Sequence, residues 1–200
     1  MPKINAATIY EHKELTRSAL LAAGADAFVA YGFAGTSIGL LADRAGIART
    51  TVYEYFPNKD SVLAALVEER LPPIIDRLLN ELPDGSPADR LAELLRRAFE
   101  FVAHNPVEAT LLFRVSRELP KPERDAAWSV FAPVRREIVR LCQEGIESGE
   151  FPEGDSTSLG TIVGDHLVGG IDEISARGSE SASSVATARI AFLRHGLGST

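Results

Sequence analysis

Thr36-Ser37-Ile38-Gly39-Leu40-Leu41-Ala42-Asp43-Arg44-Ala45-Gly46-Ile47-Ala48-Arg49-Thr50-Thr51-Val52-Tyr53-Glu54-Tyr55-Phe56 is the stretch whose reading decides the fold. Thr36 and Ser37 are N-cap types, whose side-chain oxygens satisfy backbone N–H groups at the start of a helix. Ile38, Leu41 and Ala42 then recur at i, i+3 and i+4 and give that helix one apolar stripe. Gly46 is placed for a turn. Beyond it, Ile47 and Val52 can pack inward, while Arg49, Thr50, Thr51 and Tyr53 offer one charge and three hydroxyls. Two short helices around a glycine turn, the second with little to bury and much to present, predict a helix-turn-helix over about 37–56.

The flanks read as helix in both directions. A preceding helix, from about Ile9 or Glu14 to Ala30, carries Leu15, Ala19, Ala22, Ala23, Ala27 and Phe28 on its inner side and closes at Gly32. Pro57-Asn58-Lys59-Asp60 opens a fourth helix with Val62, Leu63, Leu66 and Val67 as its stripe, and Pro72-Pro73 forces a kink or break in it. Ser86 with Asp89 resembles a capping box ahead of a helix over about 87–104. Asn105-Pro106 starts another, to about Glu118. A long helix over about 123–148 should bend at Pro133, and Asp155 can cap a helix running to about Arg177 with Leu159, Ile162, Val163, Leu167, Ile171 and Ile174 facing in. A polar connection, Gly178 to Ser184, leads to a last helix over about 185–197. Strict alternation never lasts more than a few residues, so the chain reads as all-α.

Composition sets the outer bounds. Two hundred residues with 45% hydrophobic content can bury one large or two small cores. The single cysteine, Cys142, excludes an internal disulfide framework and a cysteine-rich zinc site. No apolar signal region follows the N-terminal charge, and no stretch approaches the roughly 18 apolar residues that span a bilayer, which points to a cytoplasmic protein with no membrane partner. The net charge is -7. Residues 1–60 balance six basic against six acidic side chains, so the whole deficit falls on residues 61–200. A neutral head on an acidic body would meet phosphates head first, by a few placed contacts more than by bulk charge.

The run Ala22, Phe28, Tyr31-Gly32-Phe33, Thr36-Ser37-Ile38, Leu41-Ala42, Ala45-Gly46-Ile47, Thr51-Val52-Tyr53, Tyr55-Phe56, Lys59 and Leu63 resembles the TetR/AcrR family of bacterial transcriptional regulators. The resemblance implies a three-helix DNA-binding head over residues 1–58 and an effector-binding and dimerisation domain over 59–200. It further implies a homodimer on a near-palindromic double-stranded operator, from which a small-molecule effector releases it as a repressor. Carried over by position, Thr36 and Ser37 look like phosphate contacts, Arg49, Thr50 and Thr51 like groove-facing residues, and Tyr53 and Lys59 like backbone clamps. Arg49 alone on the short helix can donate a bidentate pair to guanine O6 and N7. Gly39 and Leu40 stand where similar proteins usually carry polar or charged residues, which places more of the specificity on Arg49.

In the larger domain, Phe99, Phe113, Trp128 and Phe131 are aromatics at helical spacing, ordinarily core, which an effector cavity would also use. Arg114 could answer an anionic group there, and His166 lies on or near an apolar helical face as core, interface or pocket residue. Gly169-Gly170 would permit close helix approach at a dimer seam. No pair among His104, His166 and His195 has i, i+3 or i+4 spacing, so neither a metal nor a cofactor is expected. No nucleophile elbow, phosphate loop or zinc-protease motif gives support for an enzyme. The rival reading is a small-molecule-binding or interaction protein on the same helical scaffold with weak or no DNA binding.

Overall fold

A computed structural model describes residues 6–105, 109 and 118–198. The described residues form α1 (Ala6–Gly35), α2 (Ile38–Ala45), α3 (Arg49–Tyr55), α4 (Lys59–Asn80), α5 (Pro87–His104), α6 (Lys121–Ser129), α7 (Ala132–Glu147), α8 (Ser156–Arg177) and α9 (Ala182–Gly196), with a 3₁₀ turn at Ser179–Ser181. No strand occurs among them, so the all-α architecture stands. The expected helix from Asn105-Pro106 to Glu118 lies almost wholly outside the described residues, as do Phe113 and Arg114. The chain divides into two compact units, Met1–Glu69 with Val115–Ala127, and Arg70–Arg114 with Trp128–Thr200.

In the first unit, α1 is interrupted at Gly32, whose φ of 70° is open to glycine and strained for other residues. Its buried face is Leu20, Leu21, Ala23, Ala25, Ala27 and Phe28, whereas Leu15, Ala19 and Ala22, expected inside, are exposed. The face turns this way because α4 crosses α1 at Gly24, where a Cβ would stand 2.8 Å from Val62 Cγ1. Val62, Leu63, Leu66 and Val67 are buried from α4, as their spacing predicts. By length and composition alone, Tyr10–Gly35 could cross a membrane. The sequence expectation of no such stretch is corrected here: small residues, alanine and glycine, carry much of its apolar character, and of its larger ones Leu20, Leu21 and Phe28 are core while Leu15 is exposed.

Pro72-Pro73 does not end α4, which is continuous to Asn80. Each proline lacks the N–H that would reach the carbonyl four residues back. Those carbonyls belong to Glu68 and Glu69, both exposed residues, where water can replace the lost bonds. The expected single helix over 123–148 is instead two, α6 and α7, parted at Val130-Phe131. Pro133 sits in the first turn of α7, where its missing N–H costs no helical bond.

In the second unit, α5 packs against α7, α8 and α9, and α8 also packs on α7 and α9. Leu91, Leu94, Leu95, Phe99, Ile138, Leu141, Val163, Ile171 and Ile174 fill its core. Two crossings require glycine: a Cβ at Gly160 would lie 2.6 Å from Val139 Cγ2, and one at Gly170 only 2.4 Å from Phe99 Cε1. A Cβ at Gly169 would meet Arg189 Nη1 of α9 at 3.1 Å. Gly170 therefore serves helix approach within the subunit, whereas an added methyl at Gly169 would meet only the far end of a flexible side chain. Asp155 caps α8 as expected, accepting from the Ser158 N–H at 2.7 Å. Ile162, expected inside, is 63% exposed. Cys142 is fully buried, and that burial pushes its thiol up to about 11.

Candidate nucleic-acid interface

The interface is built on what α2 and α3 bury. Ser37 is the N-cap of α2, its Oγ accepting from the Leu40 N–H at 3.2 Å, and Ile38, Leu41 and Ala42 form the inward stripe. Gly46 ends α2 in the left-handed region, φ 68° and ψ 30°, and its N–H returns to the carbonyls of Ala42 and Asp43. This C-cap redirects the chain within three residues into α3. Ala48, the N-cap of α3, supplies no side-chain acceptor. What fixes the seven-residue helix is therefore packing: Val52 is fully buried and Phe56 nearly so.

With Val52 turned inward, Arg49, Thr50, Tyr53 and Glu54 are exposed and Thr51 is half-buried. Arg49 Nη2 donates to Tyr53 Oη at 3.3 Å, and its guanidinium carbon lies 5.9 Å from the Tyr53 ring centroid. A second pair of the same kind joins α1 to α2: Arg44 Nη2 donates to Tyr31 Oη at 3.1 Å and stands over that ring at 5.2 Å. The sequence reading missed this pair, since the two residues lie 13 apart and on different helices. Such cation–π contacts are worth about 0.5–1 kcal/mol at exposed sites, weak enough for a phosphate or base to displace.

Two of the expected phosphate contacts are placed differently from the rest. Thr36 is only 2% exposed, and its hydroxyl donates to the Gly32 carbonyl at 2.8 Å. Lys59 Nζ donates to the carbonyls of Phe33 at 2.6 Å and Thr36 at 3.2 Å, and lies 4.2 Å from the Phe33 ring centroid. Ser37, at the N-cap of α2, and Arg49, Thr50 and Tyr53 on α3 are exposed, with Thr51 partly covered. The start of α4 is capped by its own neighbours: Asn58 Oδ1 accepts from the Ser61 N–H at 2.8 Å, and Ser61 Oγ donates to the Asn58 carbonyl at 2.7 Å.

Of the expected effector residues, Phe99 is fully buried beneath Gly170, while Trp128 and Phe131 are half-buried with ring centroids 5.2 Å apart. His166 is half-buried between α8 and α9. Its Nε2 donates to the Arg189 carbonyl at 2.8 Å, and its ring stacks on the exposed Phe192 at 5.5 Å. Among the described residues, no group of histidine, cysteine and carboxylate side chains is arranged to hold a metal ion.

Residues 20–66 match the family described as bacterial regulatory proteins, tetR family, and residues 84–197 match the tetracyclin repressor-like C-terminal domain. The chain belongs to the TetR family. A fatty acid metabolism regulator protein of Bacillus subtilis is 28% identical over 145 residues, 71% of this chain and 72% of that protein. The regulator RutR of Escherichia coli is 30% identical over 97 residues, 48% of this chain and 45% of its own. The solved FadR of Bacillus subtilis in complex with stearoyl-CoA superimposes with a TM-score of 0.77 at 19% identity, over 90% of this chain and 98% of that one. TetR regulators bind operator DNA as dimers and answer to small-molecule effectors. This TetR member is a DNA-binding transcriptional regulator of that ligand-responsive kind. The rival reading of a scaffold without DNA binding is set aside by the match across the motif itself.

Proposed function

We propose that the chain is a cytoplasmic, non-catalytic repressor whose effector is an acyl-coenzyme A thioester. The observation that carries this reading is the 28% identity to the fatty acid metabolism regulator over 71% of the chain. The solved relatives add to it: FadR was captured with stearoyl-CoA and AibR with isovaleryl coenzyme A and operator DNA. This chain's own chemistry is compatible. Trp128 and Phe131 supply aromatic surface in the second unit, and Arg135 and Arg136, exposed in the first turns of α7, supply cations for the phosphates of a coenzyme A. On the DNA side, Ser37 is assigned to phosphate, Arg49 with Thr50 and Thr51 to base edges, and Tyr53 to the backbone. The head is taken as residues 1–58 and the effector and dimerisation domain as 59–200.

The test is a thermal melt with stearoyl-CoA, isovaleryl-CoA, free stearate and coenzyme A alone. A ligand present at a hundred times its Kd stabilises the native state by about 2.7 kcal/mol. For a chain of this size that raises Tm by roughly 5–10 °C. One of the two thioesters should do so and should also release the protein from operator DNA. If neither thioester moves Tm, the effector class is wrong.

A further inference from the structure

Lys59 stands where the family pattern suggests a phosphate clamp, yet its ammonium is turned into the head. Helix α1 is interrupted at Gly32, and the carbonyls at the break take partners beyond the regular helical ladder. Three groups take them up. Thr36 Oγ1 donates to the Gly32 carbonyl at 2.8 Å, the Thr36 N–H donates to the Phe33 carbonyl at 3.2 Å, and Lys59 Nζ donates to that same Phe33 carbonyl at 2.6 Å. Lys59 also takes the Thr36 carbonyl at 3.2 Å, and its charge rests 4.2 Å above the Phe33 ring. A cation on the C-terminal carbonyls of a helix meets the negative end of the helix dipole. One side chain, reaching across 26 residues of sequence, therefore holds both ends of the turn that delivers Ser37 to the start of α2.

We infer that Lys59 is a positioning residue for DNA binding: it acts through Phe33 and Thr36 to set the entry of α2, and does not itself contact phosphate. The inference rests on the DNA-binding reading of the head. Two of the three ammonium N–H groups are committed to carbonyls, and Thr36, the neighbour that shares the turn, is itself buried. Without the ammonium, the turn would spend only part of its time in the arrangement that fits a duplex. Affinity falls by the populated fraction, here about tenfold.

Counterion release separates positioning from contact. Each phosphate neutralised by a side chain contributes about 0.9 to the slope of log K against log salt concentration. The full-length dimer is titrated against a duplex that the wild-type protein selects from a random-sequence pool. The titrations run between 50 and 200 mM salt, roughly the range over which such slopes are read. Lys59→Met, shown to be folded by circular dichroism at the assay temperature, should lose about tenfold in affinity with the slope unchanged, as a competent fraction alone requires. Lys59→Arg should restore most of the loss. Should Lys59→Met not fold, Thr36→Val carries the test, since it frees the Gly32 carbonyl without removing a charge, and it should show the same loss at unchanged slope. A slope smaller by about 1.8 in Lys59→Met, about 0.9 for each of the dimer's two Lys59 side chains, overturns the inference in favour of a phosphate contact. Unchanged affinity in a folded Lys59→Met or Thr36→Val overturns it in favour of a role in stability alone. If the wild-type protein selects no duplex, the DNA-binding reading fails first and takes this inference with it.

Discussion

Replacing Gly170 with alanine puts a methyl group 2.4 Å from Phe99 Cε1, 2.5 Å from its Cζ and 2.8 Å from Arg189 Cδ. The nearest approach falls short of ordinary carbon contact by about 1 Å. Phe99 is fully buried in the middle of α5, so its ring can yield only by displacing α5 or α8. Overpacking costs about 1–3 kcal/mol, and an overlap this deep against a fully buried ring sets the upper part of that range, about 2–3 kcal/mol. Alanine's better helix propensity returns about 1 kcal/mol, which leaves a net loss of roughly 1–2 kcal/mol. At about 2–4 °C per kcal/mol, Tm should fall by roughly 2–8 °C. Gly169→Ala is the internal control one residue away. Its methyl meets only the far end of the Arg189 side chain at 3.1 Å, which can move aside. That variant should keep its propensity gain and melt at or slightly above the wild-type temperature. Both melts are read by circular dichroism at one protein concentration, because a dimer's Tm depends on it. A Gly170→Ala protein that melts with the wild type, or a Gly169→Ala protein that falls equally far, would refute the packing argument.

Arg49→Ala should lower the ratio of affinities for a selected over a scrambled duplex by about tenfold or more, the worth of a bidentate guanine contact, as read by fluorescence anisotropy. An equal loss on both duplexes would show that Arg49 binds backbone only. Acid titration probes α5. Hydrogen bonds from Arg96, then from Arg97, hold the Glu93 carboxyl down at about 2 against the upward pull of burial. A carboxyl with a lowered native pKa adds stability above its unfolded value, and that contribution drains away as pH falls toward the native one. The wild type should therefore lose stability between about pH 4.5 and 2, and Glu93→Gln should be less stable at pH 7 and flatter across that interval, by denaturant melts. Parallel curves for the two proteins would contradict the pairing.

The head was legible because its signals are local. Ser37 as a cap, Gly46 as a turn and the inward Val52 each need only a few neighbouring residues to be recognised, and each is where the sequence places it. Asp155 is legible for the same reason. What escaped depends on partners far along the chain. Nothing near Lys59 announces that its ammonium belongs to the Phe33 carbonyl, and nothing near Thr36 shows that its hydroxyl is spent on Gly32 in a buried turn. Of the kink or break that Pro72-Pro73 predicted, the break does not occur, because the cost of a proline depends on whether water can reach the carbonyl it abandons, which is a property of exposure. Ile162 misled because periodicity cannot tell a face that packs within the subunit from one left exposed.

The inward turn of charge in the head has a consequence on the scale of the chromosome. Of the six basic side chains in residues 1–60, Arg17 is paired with Glu69 and stands over the Phe56 ring, and Lys59 is committed to carbonyls. Both keep their charge, but neither is free to meet a phosphate of arbitrary DNA directly. A bacterial genome offers on the order of 10⁶ or more competing sites, and the ratio of specific to background affinity governs how many protein copies one operator needs. Tying a cation inward removes a background phosphate contact and leaves the base-edge role proposed for Arg49 untouched. A regulator built this way would spend less time trapped on unrelated sequence, and few copies could keep its operator filled.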